Sequence, residues 1–433
     1  MRISLGSGRA RLARAAALSG LLLTLATCSD QASEPGSVGD WVGTIAIEGP
    51  TTTVVNESGS VWGAAGHLVE ELSIGVEEGA DEYMFGMVTT LTATDDRIFV
   101  IDVQVPVVRE YDHDGQFIAN LGRAGEGPGE YGEPAMIAAH EDRVFVGDAT
   151  GRVEVFAAVG EALESWSSFP ARCCGWPIYA LDAVTLWAPV KQWLEDADRE
   201  RRYGVQKVGS DGALGDTVWI PELDYEQTKF QLMEGVETTT PFSPWLVWNP
   251  TPSGGLVVGT SDRYRFEMHH VDGTTTVVER SWDPVSVPAE HREYERLKTI
   301  AGRRRLNQIP PQWDGAEMPD HKPAYRTLIP TASGEIWVLR IGPSERQADC
   351  VEDPSTAELR ELFERPCWKD AMSADVFGSD GRYLGNVELP ELPWADGSSL
   401  AIDGDRVVAS VIDEQGIVKV KRYRLRIPGV GTD

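Results

Sequence analysis

Short apolar stretches set between turn residues run the length of the chain, and one four-part unit recurs among them. Arg97-Ile98-Phe99-Val100 leads to Val108-Arg109-Glu110-Tyr111, then to the turn Asp114-Gly115, then to Gln116 through Leu121. Arg143-Val144-Phe145-Val146 begins the same order again, followed by Arg152-Val153-Glu154-Val155-Phe156, a turn at Gly160, and Ala162 through Trp166. Further copies start at Leu186-Trp187, Leu256-Val257-Val258 and Ile336-Trp337-Val338, each with its own Asp-Gly turn at 211–212, 272–273 or 380–381. β-Branched and aromatic runs bounded by Gly, Pro and Asp are the signal of strands and hairpins. Patterns for long helices are nearly absent.

A sixth copy, Arg406–Val411 with Ile417–Leu425, stops before its outer strand. The missing piece lies at the other end. His67-Leu68-Val69-Glu70-Glu71-Leu72-Ser73-Ile74-Gly75 leads to Glu82-Tyr83 much as Leu121-Gly122 leads to Glu130-Tyr131. The expected fold is therefore all-β: a six-bladed β-propeller closed by an N-terminal strand, with helical insertions on one face. Closing the ring removes exposed sheet edges. The propeller is expected over 43–427, after a leader (1–27) and a tether (28–42), with a tail at 428–433. Gly43–Asn56 reads as a hairpin packed outside the closing seam.

The runs Val108–Gly115, Gly125–Tyr131, and Pro323–Tyr325 leading into Gly334–Leu339 resemble those of NHL-like six-bladed propellers found in many bacterial lipoproteins. The resemblance covers roughly residues 60–427. It implies blades and joints but no agreed activity.

Up-and-down strand order puts the blade-to-blade links and the middle-strand links on one rim. The long insertions are Pro189–Arg202, Pro221–Phe242, Asp283–Lys322 and Gly342–Met372, and all four are links of those two kinds. They are expected to rise together as a recognition surface, with tolerance of insertions at exposed tips as the plain alternative. Pro288–Arg305 and Pro354–Arg365 read as helices, the second capped by Asp353. Arg292, Arg296, Lys298, Arg303, Arg304 and Arg305 make the first helix basic, to balance acidic neighbours or to grip an anion.

An aromatic residue stands near the start of each inner strand on this rim: Phe85, Tyr131, Trp176, Trp245, Tyr325 and Trp394. Around an axial mouth these would stack a sugar, a peptide or an apolar molecule; packing between blades is the other reading. Arg152, Arg263 and Arg340, with Asp102, Arg109, Asp148 and Asp262, add charge on the middle-strand links.

The leader changes the picture of location. Residues 1–27 hold Arg2, Arg9, Arg11 and Arg14 with no acid, then the apolar run Ala15–Thr27, the pattern of a signal peptide and too short to span a membrane. Leu25-Ala26-Thr27-Cys28 resembles a bacterial lipobox, with Thr27 a departure from the usual small residue. That resemblance implies lipidation at Cys28; ordinary secretory cleavage is the alternative. Ser29 after the Cys implies the outer membrane of a Gram-negative cell envelope.

Without the leader, 35 basic residues face 68 acidic ones, a net charge of −33. Such a chain repels a phosphate backbone, so no nucleic acid partner is expected. Four cysteines remain besides Cys28, consistent with two disulfides after export. Cys350–Cys367 is the first expected pair; Cys173 and Cys174 could bridge each other or pair elsewhere.

Catalytic chemistry is sparse. Gly125–Gly129 lacks the Lys and Ser/Thr of a phosphate loop, no nucleophile elbow occurs, and the seven His residues are scattered. Lactonase propellers hold an axial calcium with Glu, Asp and Asn. This chain has five Asn, of which Asn249 alone falls near an inner strand. No catalytic residue, metal ligand or cofactor is assigned, although axial calcium stays open. The expected function is an exported, lipid-anchored binding or scaffold module for a peptide, glycan or protein partner, as a single-chain particle. A metal-dependent hydrolase or lyase with an axial site is the alternative.

Overall fold

The computed structural model describes residues 39–429, apart from 168, 170–176, 194–200, 234–235, 308–312, 314–315, 359–360, 363–364, 391 and 393–396. It is a six-bladed β-propeller. Blade 1 comprises Val88–Ala93, Arg97–Asp102, Val107–Asp112 and Phe117–Leu121; blade 2 comprises Pro134–His140, Arg143–Asp148, Arg152–Ala157 and Ala162–Trp166. Blades 3, 4 and 5 begin at Tyr179, Leu246 and Thr327, and blade 6 at Leu400.

Middle strands read as unbroken apolar runs because both their faces are covered. In blade 1, Ile98 and Val100 pack toward blade 6 with Val408 and Val420, while Phe99 and Ile101 pack toward blade 2 with Val144 and Val146. One such apolar core lies between every two neighbours around the ring. Each fully buried Val, Leu, Ile or Phe contributes about 1.5–3 kcal/mol, so the joints between blades hold most of the apolar stabilisation.

Three N-terminal strands complete the architecture: β1 (Val42–Glu48), β2 (Thr51–Ser58) and β3 (His67–Ile74). β3 pairs antiparallel with Val418–Arg426 and supplies the outer strand of blade 6, as the repeat predicts. The hairpin departs from expectation. β2 adds in parallel to Thr275–Arg280, so β1 and β2 extend blade 4 to six strands rather than sitting outside blade 6. Residues 59–66 then cross the outer strand of blade 5, where the N–H groups of Val61, Trp62 and Gly66 donate to Tyr383, Leu384 and Asn386 carbonyls at 3.0, 2.9 and 2.8 Å.

Asn56 fixes this path. It is buried; its Oδ1 accepts from Trp41 Nε1 at 2.8 Å and from the Tyr383 N–H at 2.7 Å. Its Nδ2 donates to the Gly381 and Glu279 carbonyls at 3.1 and 3.2 Å. One side chain thus ties the hairpin to blades 4 and 5 together.

The insertions rise from one rim. The middle strands of blades 3 and 5 run on as tall hairpins, paired out to Trp193↔Arg201 and Arg346↔Trp368. The link from blade 3 to blade 4 folds a hairpin of Lys229–Met233 and Val236–Thr239, and the next link carries helix α1 (Ala289–Asn307). Within the helix expected at Pro354–Arg365, the described Glu361 and Leu362 are helical, with the Leu362 N–H on the Glu358 carbonyl at 3.2 Å and the Arg365 N–H on the Glu361 carbonyl at 2.9 Å, and Asp353 Oδ1 accepts the Ser355 N–H at 3.0 Å.

Candidate functional site

Three insertions are braced against one another above blades 4 and 5. His291 on α1 stacks on Trp368 of the blade 5 hairpin, with ring centroids 4.8 Å apart and planes 17° from parallel. Phe242, from the blade 3 to blade 4 link, meets the same imidazole edge-on at 5.1 Å. The Cys367 N–H donates to the Tyr294 hydroxyl at 3.3 Å, and Cys367 is joined to Cys350 in the expected disulfide. Beneath them Lys322, with its side chain 1% exposed, donates to Asp370 Oδ1 and the Gly342 carbonyl at 2.7 and 2.6 Å. Burial pulls the Lys322 pKa down and Asp370 opposes that shift. Burial likewise lowers the pKa of His291; Glu295 and Asp370 push it up, while Lys322 and Lys298 push it down.

Between α1 and the disulfide-closed hairpin opens a cleft of about 470 Å³. Tyr294, Leu297, Pro354 and Trp368 give it an apolar wall, and Glu290 and Arg346 stand among its charged groups. On the basic helix, Arg296 is paired with Glu293 at 2.7 Å and Lys298 with Glu295 at 2.8 Å. Those cations are thus spent within the helix.

Among the described residues, the aromatic side chains near the inner strands do not form a common ring. Tyr131 and Tyr325 are 0% and 1% exposed, which corrects their placement as ligand-stacking groups. Each reaches back into the preceding blade. The Tyr131 hydroxyl donates to the Leu121 carbonyl and accepts from the Val108 N–H, the latter at 3.0 Å. The Tyr325 hydroxyl lies 2.9 Å from the Arg265 carbonyl and 3.1 Å from that of Thr260. Glycine makes room for both: a Cβ on Gly122 would stand 2.7 Å from the Tyr131 ring, and one on Gly259 would stand 2.3 Å from the Tyr325 hydroxyl. Phe85 and Trp245 stay half-buried under the guanidinium groups of Arg109 and Arg326, at 5.5 and 4.4 Å. Trp176 and Trp394 lie outside the described residues, as do Cys28, Cys173 and Cys174.

The rim charges also act within the scaffold. Asp102 is buried and accepts from the N–H groups of Gly86, Met87 and Gln104 at 2.9, 3.0 and 3.1 Å, clipping the segment that leads into blade 1. Asp148 does the same in blade 2 with Gly132 at 2.6 Å and Thr150 at 2.7 Å. Burial raises the Asp148 pKa, but these donors outweigh it and hold the carboxyl below the usual range. Blade 4 uses a neutral version, the Trp245 N–H on Ser261 Oγ at 3.0 Å. Arg152 donates to the Glu126 and Glu130 carbonyls at 2.8 and 3.1 Å, which makes Gly125–Gly129 a blade joint. Arg340 pairs with Asp375 at 3.4 Å. Arg263 is the exposed member, although it also reaches the Asp224 carbonyl at 3.0 Å.

An axial channel of about 340 Å³ passes between the inner strands, with Thr92, Ala138, Tyr179, Ile329 and Ala401 on its wall. Asn249 lines it too, but its Nδ2 donates to the Leu328 carbonyl of the next blade at 2.6 Å. Among the described residues no three His, Cys, Asp or Glu side chains stand together as metal ligands. The donor set that an axial calcium requires does not fit these residues, and no reaction step follows from it.

The family comparison agrees with the fold. The profile of the DUF5128 family, described as a 6-bladed beta-propeller, matches residues 78–161, which cover blade 1 and most of blade 2. No curated protein matches at significance. Among solved structures, a DUF4221-family protein from Bacteroides vulgatus is similar at 10% identity and a TM-score of 0.49, covering 84% of this chain and 99% of that one. BamB from Moraxella catarrhalis is similar at 13% identity and a TM-score of 0.34, covering 82% of this chain and 99% of that one. The protein is a six-bladed β-propeller that is similar to the DUF5128 family over residues 78–161.

Proposed function

We propose that this protein is an exported, lipid-anchored binding module that captures a partner on its insertion-bearing rim. The observation that carries this reading is the cross-braced superstructure. Elements from three separate links meet at His291, Phe242 and Trp368 and leave a cleft beside them, whereas among the described residues no three His, Cys, Asp or Glu side chains come together in the axial channel. Bracing of this kind pre-organises a surface, so less ordering entropy is lost when a partner binds. The apolar wall of Tyr294, Leu297 and Trp368, set in a chain of mature net charge −33, suits a peptide segment with a large apolar side chain flanked by Lys or Arg.

Export is supported by the leader and by the Cys350–Cys367 disulfide, a bond that persists in oxidising compartments. Anchoring rests on Cys28. Among the described residues no helix is long and apolar enough to cross a membrane. Two tests apply. Metabolic labelling with a palmitate analogue should mark the wild type and not Cys28→Ser. Peptides pairing one Trp or Leu with two or three Lys should bind the wild type at least about tenfold more tightly than Leu297→Asp, a difference of about 1.4 kcal/mol. Equal binding by the two proteins would remove the cleft from the account.

A further inference from the structure

The outermost strand of blade 4 has the longest regularly paired run among the described outer strands. β1 is the last strand of its sheet, and no other strand of the described residues pairs with its outer edge. Val42, Ile45 and Ile47 are 50%, 52% and 74% exposed, and Glu48 is the sole charge in the strand. Exposed edges of this kind are normally blunted by charge, Pro or a bulge. In blades 1, 2, 3, 5 and 6 the outer strand shows a register shift against its neighbour. Along β1 the shift falls at Val42/Gly43, which leaves Gly43–Glu48 paired regularly and its edge straight.

We infer that this edge is an interface between two copies of the chain, formed by antiparallel pairing of β1 with β1 about a two-fold axis at Ile45. The sequence of β1 is self-complementary in that register. Ile45 faces Ile45 of the second copy, Thr44 faces Ala46, Gly43 faces Ile47, and Val42 faces Glu48. No like charges oppose each other, and Ile45 and Ile47 of both copies form one apolar strip on a single face. Centring on Thr44 instead would set Asp40 against Glu48 twice. The strip continues inward to the buried Val54, the cross-strand partner of Ile45. Joining the edges makes one twelve-stranded sheet from two six-stranded ones and satisfies the edge N–H and C=O groups of both. This pairing replaces the single-chain particle expected from the sequence, and it is independent of the cleft.

The test is sedimentation velocity of the chain bearing Cys28→Ser over a concentration series, with three variants. The wild-type edge should give a concentration-dependent dimer. Ile45→Cys should yield a cross-linked dimer on mild oxidation, because the two positions face each other, while Ala46→Cys, which faces Thr44, should not. Ile45→Lys should raise the dimer dissociation constant at least about tenfold with an unchanged melting temperature. A monomer at all concentrations, or a dimer indifferent to Ile45→Lys, overturns the inference. So does a monomer that pellets with phosphatidylglycerol vesicles and loses that property in Ile45→Lys, since the strip would then belong to the membrane.

Discussion

The hydroxyl of Tyr264, in blade 4, donates to Asp375 Oδ2, in blade 5, at 2.6 Å. Asp375 is buried and also accepts from the Tyr383 hydroxyl at 3.1 Å, Asn386 Nδ2 at 3.0 Å and Arg340 at 3.4 Å. Burial first, and then the neighbouring carboxylate, pushes the Tyr264 pKa far upward, so its hydroxyl keeps its proton and remains a donor. A hydrogen bond to a charged group contributes about 1.5–3 kcal/mol. Tyr264→Phe should cost that much in urea unfolding. Asp375→Ala, which leaves a guanidinium and two hydroxyls without their acceptor, should cost about 3–5 kcal/mol. Losses under 0.5 kcal/mol in both would show that the network carries no stability.

Tyr131 and Tyr325 should behave as joints rather than as ligand platforms. Replacement by Ala opens a cavity between blades and should cost about 3–5 kcal/mol, the range for losing a buried aromatic side chain. Replacement by Phe keeps the ring and should cost about 1–3 kcal/mol, from the Val108 N–H or the Arg265 carbonyl left unpaired. Tyr325→Ala with unchanged melting but lost partner binding would reverse this assignment.

These two tyrosines show where reading the chain reaches its limit. A strand beginning with an aromatic residue signals burial, yet period-two alternation does not say whether the ring turns to the channel or to the preceding blade. The ring of six blades was legible because one hairpin pattern repeats and because His67–Ile74 matches the run that should follow Leu425. The hairpin of β1 and β2 was legible as a hairpin, but its seat was not. That seat is set by Asn56, whose partners Gly381 and Tyr383 lie more than 300 residues away. The Asp102 and Asp148 clips were legible as rim acids; their role depends on N–H groups some fifteen residues upstream.

Asn56→Ala should be among the most destabilising changes at the N-terminus. It removes an acceptor shared by Trp41 Nε1 and the Tyr383 N–H, and a donor to two carbonyls. With each buried group left unpaired costing about 1–3 kcal/mol, the hairpin should detach before the ring unfolds. Hydrogen exchange would show this as fast exchange confined to residues 42–58, whereas uniform protection would contradict it.

The insertion brace should weaken in mild acid. His291 is buried and its folded pKa is depressed below the ordinary histidine value near 6.5. The unfolded chain therefore binds a proton at higher pH than the folded one, and the stability contributed by the neutral imidazole is complete above about pH 6.5 and is lost as pH falls below it. The melting temperature should drop between pH 7 and pH 5 more in the wild type than in His291→Phe, which keeps the stack on Trp368 without a titrating group. Identical drops in the two proteins would place the pH sensitivity elsewhere.

The proposed function puts ligand binding on the rim and not in the channel. A thermal-shift scan of the soluble Cys28→Ser chain tests it most directly, with EDTA, calcium and zinc on one side and Trp-Lys peptides on the other, since ligands that bind the folded state raise its melting temperature. The expected result is indifference to EDTA and both metals, and an upward shift with peptide that Leu297→Asp abolishes. A large fall with EDTA that calcium or zinc restores, with no response to peptide, would contradict it and move the functional site to the channel.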